Sequence, residues 1–177
     1  MIIPIQRMPL LQVELPHGKD SLCLVEGTLT IKASQEWLKK LYSGLPSQIE
    51  GFFQVLSPAC VGGVNHLAWA AFATLEAQRS HSMRSHTPEM EFLCRVAGTF
   101  QIPRAQERVG IRTGKQEVVL VFVGNESTLP KKFLPSLTKE LGIVSKKVSW
   151  GKSILVPAQW KDSAASFAIE RSALCES

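Results

Sequence analysis

The feature that most constrains this chain is a helical pattern that is apolar on nearly every side. Val64, Leu67, Ala68, Ala71, Phe72 and Leu75 fall at i, i+3, i+4, i+7, i+8 and i+11, the spacing that stacks side chains on one face at 3.6 residues per turn. Trp69, Ala70 and Ala73 make the other faces apolar as well. Such a helix is either buried on more than one side or lends a face to another protein, because a large apolar patch is unfavourable in water. It opens a longer segment, Pro58 to Ile111, that continues through a His/Arg-rich loop into two shorter helices closed by glycines.

The rest of the chain supplies a sheet for this segment. Residues 1–20 are Pro-rich and read as an extended lead-in, with an edge strand around Gln12 to Leu15. A strand is expected at Leu22 to Glu26, stopped by Gly27, then a helix from Ser34 with Trp37, Leu38 and Leu41 on one face, ended by Gly44 and Pro46. Gly51 to Ser57 is the next strand, rich in β-prone Phe52, Phe53 and Val55. Glu117 to Gly124 is an unbroken β-branched run of the kind a buried central strand shows. A short helix over Lys132 to Leu141, one or two strands within Lys147 to Val156, and a last helix from Lys161 to Leu174 complete the reading. The fold class is α/β (α+β): a single domain over 1–177, with a small mixed sheet of three to four strands, about six helices, and residues 62–111 as a central all-helical insertion.

Within that insertion, Thr87 and Pro88 predict a helix start, since the threonine oxygen can accept an orphan amide and proline suits the first helical position. Glu89 and Glu91 favour the positive end of the helix dipole, and two carboxylates two residues apart point away from each other, so they do not read as a catalytic pair. Gly98 and Gly110 read as C′ glycines.

With 177 residues, of which 45% are apolar, the chain can build a core. A net charge of +5 and a pI near 9.2 permit nucleic-acid binding without demanding it. Cys23, Cys60, Cys94 and Cys175 are scattered without a CxxC pair, which reads as a reducing, cytoplasmic setting, or a nuclear one in a eukaryotic cell. The N-terminus is broken by Pro4, Pro9 and Pro16 and does not read as a secretory signal. The apolar run from Val61 to Leu75 falls short of the ~20 residues a membrane span needs, so a soluble protein is expected.

The candidate chemical groups mostly resolve into structure. His66, His81, His86, Cys60 and Cys94 do not form a recognised zinc-ligand spacing. Cys60 with His66 lacks a third, orienting group, and Gly62-Gly63 is not followed by the Lys-Ser/Thr of a nucleotide-binding loop. The pattern argues against an enzyme and against a resident cofactor or metal. Arg104, Arg108 and Arg112 are spaced by four, and the first two share a helix face that could track phosphates. With Glu107 alongside they read somewhat better as solvated surface, which is the preferred reading on these residues alone. A helix-turn-helix nucleic-acid-binding protein remains the alternative class, and a small Cys60/His66 enzyme ranks below it.

Read together, the central stretch resembles the TPRKB-type family, the small KEOPS-complex subunit that binds that complex's kinase-like ATPase. The resemblance is carried by Asn65-His66-Leu67 opening the alanine-rich helix, Glu91 in the short helix, and Gly98, Gln101, Ile102, Ala105, Gly110 and Ile111 at matching spacing. Ile169, Glu170, Arg171, Ala173 and Leu174 resemble the closing helix of the family. Phe100 stands where many relatives have arginine, and residues 141–160 lack an acidic Gly-Ile-Thr segment common in archaeal relatives.

The resemblance implies a non-catalytic subunit in tRNA threonylcarbamoyl adenosine modification. Such a subunit binds and stimulates the kinase-like ATPase, binds the single-stranded CCA 3′ end of tRNA, and meets other KEOPS subunits indirectly. On that implication the candidate tRNA-binding residues are Arg79, Arg84, Phe100, Arg104, Arg108 and Arg112, with most weight on Arg84, Arg104 and Arg108. The candidate partner-binding residues are Trp69, Phe72, Ala73 and Ile169.

Overall fold

Every side chain from Val118 to Val123 is buried, because the strand that carries them has a core on each face. Successive strand residues point to opposite sides. Val119, Val121 and Val123 enter one core and Val118, Leu120 and Phe122 the other. The computed structural model describes residues 10–16, 20–32, 34–43, 50–125 and 134–152.

The elements run β1 (Leu10–Glu14), β2 (Asp20–Ile31), α1 (Ser34–Ser43), β3 (Gly51–Leu56), a short 3-10 turn (Pro58–Cys60), α2 (Val64–Arg79), α3 (Pro88–Ala97), α4 (Ile102–Val109), β4 (Gly114–Asn125), α5 (Leu134–Glu140) and β5 (Val144–Ser145). The sheet order is β1-β2-β4-β3, with β5 also paired to β2. The result is an α+β fold in three layers. Leu67, Ala70 and Ala71 of α2, Phe92, Leu93 and Val96 of α3, and Ala105 and Val109 of α4 pack on one face. Leu41 of α1, Leu137 of α5, and Leu141 and Ile143 beyond it pack on the other. On that second face, α1 fastens the end of α5: Trp37 Nε1 donates to the Leu141 carbonyl at 3.1 Å and Lys40 Nζ to the Glu140 carbonyl at 3.0 Å. A cation at a helix C-terminus complements its dipole.

The sheet departs from the sequence reading in instructive ways. Among the described residues it has five strands, and all their pairings are antiparallel rather than mixed. The strand-helix-strand lead-in does make β2 and β3 parallel to each other. However, β4 enters between them antiparallel to both, so no parallel neighbours result. Of the one or two strands expected within Lys147 to Val156, none is found over 147–152, and a two-residue β5 lies just before them; positions from 153 on, including the rest of that stretch, the last helix and Ile169, lie outside the described residues.

Nor does Gly27 stop β2, which runs on to Ile31. Here glycine serves a close approach. A Cβ at this position would sit 2.5 Å from Ile143 Cγ2 and 2.7 Å from the Val144 carbonyl oxygen, where β5 pairs with β2 at Gly27 and Thr28. Gly27→Ala should therefore displace β5 and cost about 1–3 kcal/mol of stability, a size typical of overpacking. Urea unfolding of the variant against wild type measures it.

Gly98 and Gly110 close their helices differently. Gly98 is left-handed, with φ 64°. That lets its amide and that of Thr99 fold back on the carbonyls of Arg95 and Cys94 at 3.1 Å each. Gly110, expected to do the same, has φ −70°. It must be glycine because a Cβ there would collide with the Gln106 carbonyl.

Candidate functional site

Helix α2 resolves its surplus of apolar residues by dividing them. Leu67, Ala70 and Ala71 are wholly buried against the sheet. Trp69 and Phe72 are half-buried and line, with Ala73, an open cleft of about 450 Å³. The boundary of the core falls between Ala71 and Phe72, so Phe72 leaves the face that its spacing had assigned it. Among the described helices none is long and apolar enough to cross a membrane.

The loop from α2 to α3 also lines the cleft, through Ser82 and Arg84. Ser80 Oγ bonds the Glu76 carbonyl at 2.7 Å and the Ser82 hydroxyl at 2.8 Å, while the Ser82 amide returns to the Ala77 carbonyl at 2.8 Å. His81 takes the turn with φ 54°. The amides of Arg84 and Ser85 then donate to one oxygen of Glu91, at 3.0 and 2.9 Å. The other oxygen of Glu91 accepts from Arg95, at 3.0 Å from Nε and 2.9 Å from Nη2. Glu91 is 0% exposed. A buried carboxylate needs such partners to keep its charge.

Arg84, pinned by its backbone, lays its guanidinium over the ring of Phe100, 4.0 Å from the centroid. Phe100 reaches this position because left-handed Gly98 turns the chain sharply after α3. Ser80, Ser82, Arg84, Arg95 and Phe100 thus line the cleft together with Trp69 and Phe72.

The remaining sequence candidates lie elsewhere. Arg79 pairs with Asp20 and Glu76 and lines a separate hollow with Pro88 and Asn125. Arg108 Nη1 donates to the Ala97 carbonyl at 3.0 Å, turning back onto the end of α3. That contact holds the α3–α4 junction and occupies one of the two arginines a DNA-tracking face would use. Arg112, beyond the end of α4, donates from Nη2 to the Glu107 carbonyl at 2.7 Å. Arg104 is exposed on α4 and is not among the residues that line the cleft. His66 is buried, and its Nδ1 accepts the Gly62 amide at 3.1 Å, so that nitrogen is engaged and is not poised as a base for Cys60.

The residue that sequence reasoning undervalued is Glu91, read as favouring the helix dipole and as part of the family resemblance but not as a buried ion-pair partner. Its signal was present: Glu91 and Arg95 stand at i and i+4, in the favourable order, inside the otherwise apolar run Phe92, Leu93, Cys94 and Val96. Charges embedded in an apolar helix face are paired when buried.

A protein-family model described as kinase binding protein CGI-121 matches residues 30–156. This span contains the cleft and both layers of helices described above. No curated protein matches the chain.

Proposed function

The chain belongs to the family of kinase binding protein CGI-121, and on that premise we propose that it is a non-catalytic regulatory subunit of the KEOPS complex. In this reading it docks on the kinase-like ATPase subunit, stimulates it, and holds the single-stranded CCA end of tRNA during threonylcarbamoyl adenosine formation. It does so in the cytoplasm, or in the nucleus of a eukaryotic cell. Kinase docking rests on family membership. The nucleic-acid role rests on one observation: Trp69 and Phe72 line one open cleft together with Arg84, whose guanidinium lies over Phe100.

That combination suits unpaired nucleotides. Single-stranded nucleic acid is held by stacking its bases on aromatic rings and guanidinium planes, with polar groups on their edges. The hydroxyls of Ser80 and Ser82 supply such edges here. A duplex, whose bases are stacked on each other, has no face to present to such a cleft.

Titrating the protein with intact tRNA and with the same tRNA lacking its CCA, at two salt concentrations, tests this reading. Affinity should fall about tenfold or more without the CCA, since each stacked base lost is worth about 1–3 kcal/mol. Equal affinity for both, with a steep salt dependence, would show a general electrostatic footprint instead. The docking reading has its own assay, ATP turnover by the kinase-like subunit with and without this protein.

A further inference from the structure

We propose that Arg84 is the stacking surface of the cleft and works by its planarity rather than by its charge, with Phe100 as its support. This rests on the nucleic-acid reading above and goes one step further, giving the stacking role to the arginine and the supporting role to the aromatic ring. The Arg84 guanidinium already covers the Phe100 ring, at 4.0 Å from its centroid. A base approaching that side meets the guanidinium plane first.

Three further observations favour planarity over charge. The charged groups in and under the cleft offset one another. Arg95 is bonded to Glu91, and Glu76, on the cleft wall, is bonded to Arg79. Two of the three arginines in and beside the cleft are thus already paired with carboxylates, which makes it a poor trap for phosphate. Arg84 is also held at both ends, its backbone amide by the buried Glu91 carboxylate and its guanidinium by the Phe100 ring. A group fixed in this way presents a surface at little entropic cost on binding. Finally, Trp69 and Phe72 line the same cleft, so a base resting on Arg84 has apolar neighbours rather than open water. The ligand class is an unstacked nucleobase of a single strand.

The test is Arg84→Lys, which keeps the charge and removes the plane. Arg84 is exposed, so the substitution leaves the core untouched, and equal melting temperatures verify this. The probe is a short single-stranded oligonucleotide ending in CCA with 2-aminopurine in place of the terminal adenine, whose fluorescence falls when the base stacks. Wild-type protein should quench the probe. Arg84→Lys should bind about tenfold more weakly, within the range for loss of a stacked base, lose the quenching, and keep the same slope of affinity against salt. Phe100→Leu should show the same pattern and Phe100→Tyr should restore it.

Two results would overturn the proposal while leaving nucleic-acid binding intact: wild-type affinity and quenching in Arg84→Lys, or a weakened variant whose salt slope changes. Absence of quenching and binding by the wild-type protein would remove the nucleic-acid reading itself, and this inference with it.

Discussion

Glu91→Ala should lower the free energy of unfolding by about 3–5 kcal/mol, the range for removing one partner of a buried ion pair. The carboxylate is fully buried and serves two structures at once. Its loss leaves the Arg95 guanidinium, itself 5% exposed, without its carboxylate. It also takes the acceptor from the amides of Arg84 and Ser85. Desolvation of that guanidinium is then no longer offset by the carboxylate it was built against, and this makes the effect larger than the typical mutational change. Urea unfolding at neutral pH gives the number, and a loss below about 1 kcal/mol would contradict the assignment. Amide exchange gives the local consequence: the Arg84 and Ser85 amides should exchange faster in the variant than the helices beside them.

Phe92→Ala should cost a similar amount, about 3–5 kcal/mol, by an unrelated mechanism. Phe92 follows Glu91 in the chain but points to the sheet, where it is 0% exposed and its ring lies 5.5 Å from that of Phe52, tilted by 52°. Truncation leaves a cavity between α3 and β3. Neighbouring side chains relax only partly into such a space. The comparison between the two variants is informative because their stability losses match while their local effects differ. With Phe92→Ala the bonds from Glu91 to the loop remain, so Arg84 and Ser85 should keep wild-type exchange relative to the global stability. If both variants released the loop equally, the loop would depend on general packing of α3 and not on the carboxylate.

Local patterns were legible where a residue's own surroundings decide its conformation. The capping oxygen of Thr87 accepts the Met90 amide at 3.4 Å, as its position before Pro88 predicts. The run Val118 to Val123 forms a strand buried on both faces, and left-handed Gly98 ends α3. Family membership was legible too, from spaced residues in the middle of the chain. What escaped detection depends on partners remote in sequence. Periodicity shows that Trp37 has an inner face but not that its indole meets a carbonyl 104 positions away. A glycine in a strand pattern looks like a break, and only the crossing of Ile143 and Val144 shows why Gly27 is there. Likewise Arg84 and Phe100 read as separate candidates, and their stacking follows from two loops that converge only after α2, α3 and α4 have packed.

The position of β4 between β2 and β3 also governs the order in which this protein can be completed as it is synthesised. β2 and β3 leave the ribosome early, yet the strand that joins them ends only at Asn125. Until then the apolar sides of α2 and α3 have half a platform, and long-range pairings of this kind are slow to form. A nascent chain arrested before Gly114 would expose Phe52, Leu67 and Phe92 together, surfaces that the finished molecule buries. Exposed apolar surface at this stage is what chaperones recognise and what aggregation exploits. The same strand that gives the folded protein two cores therefore gives the growing chain a long interval with neither of them closed.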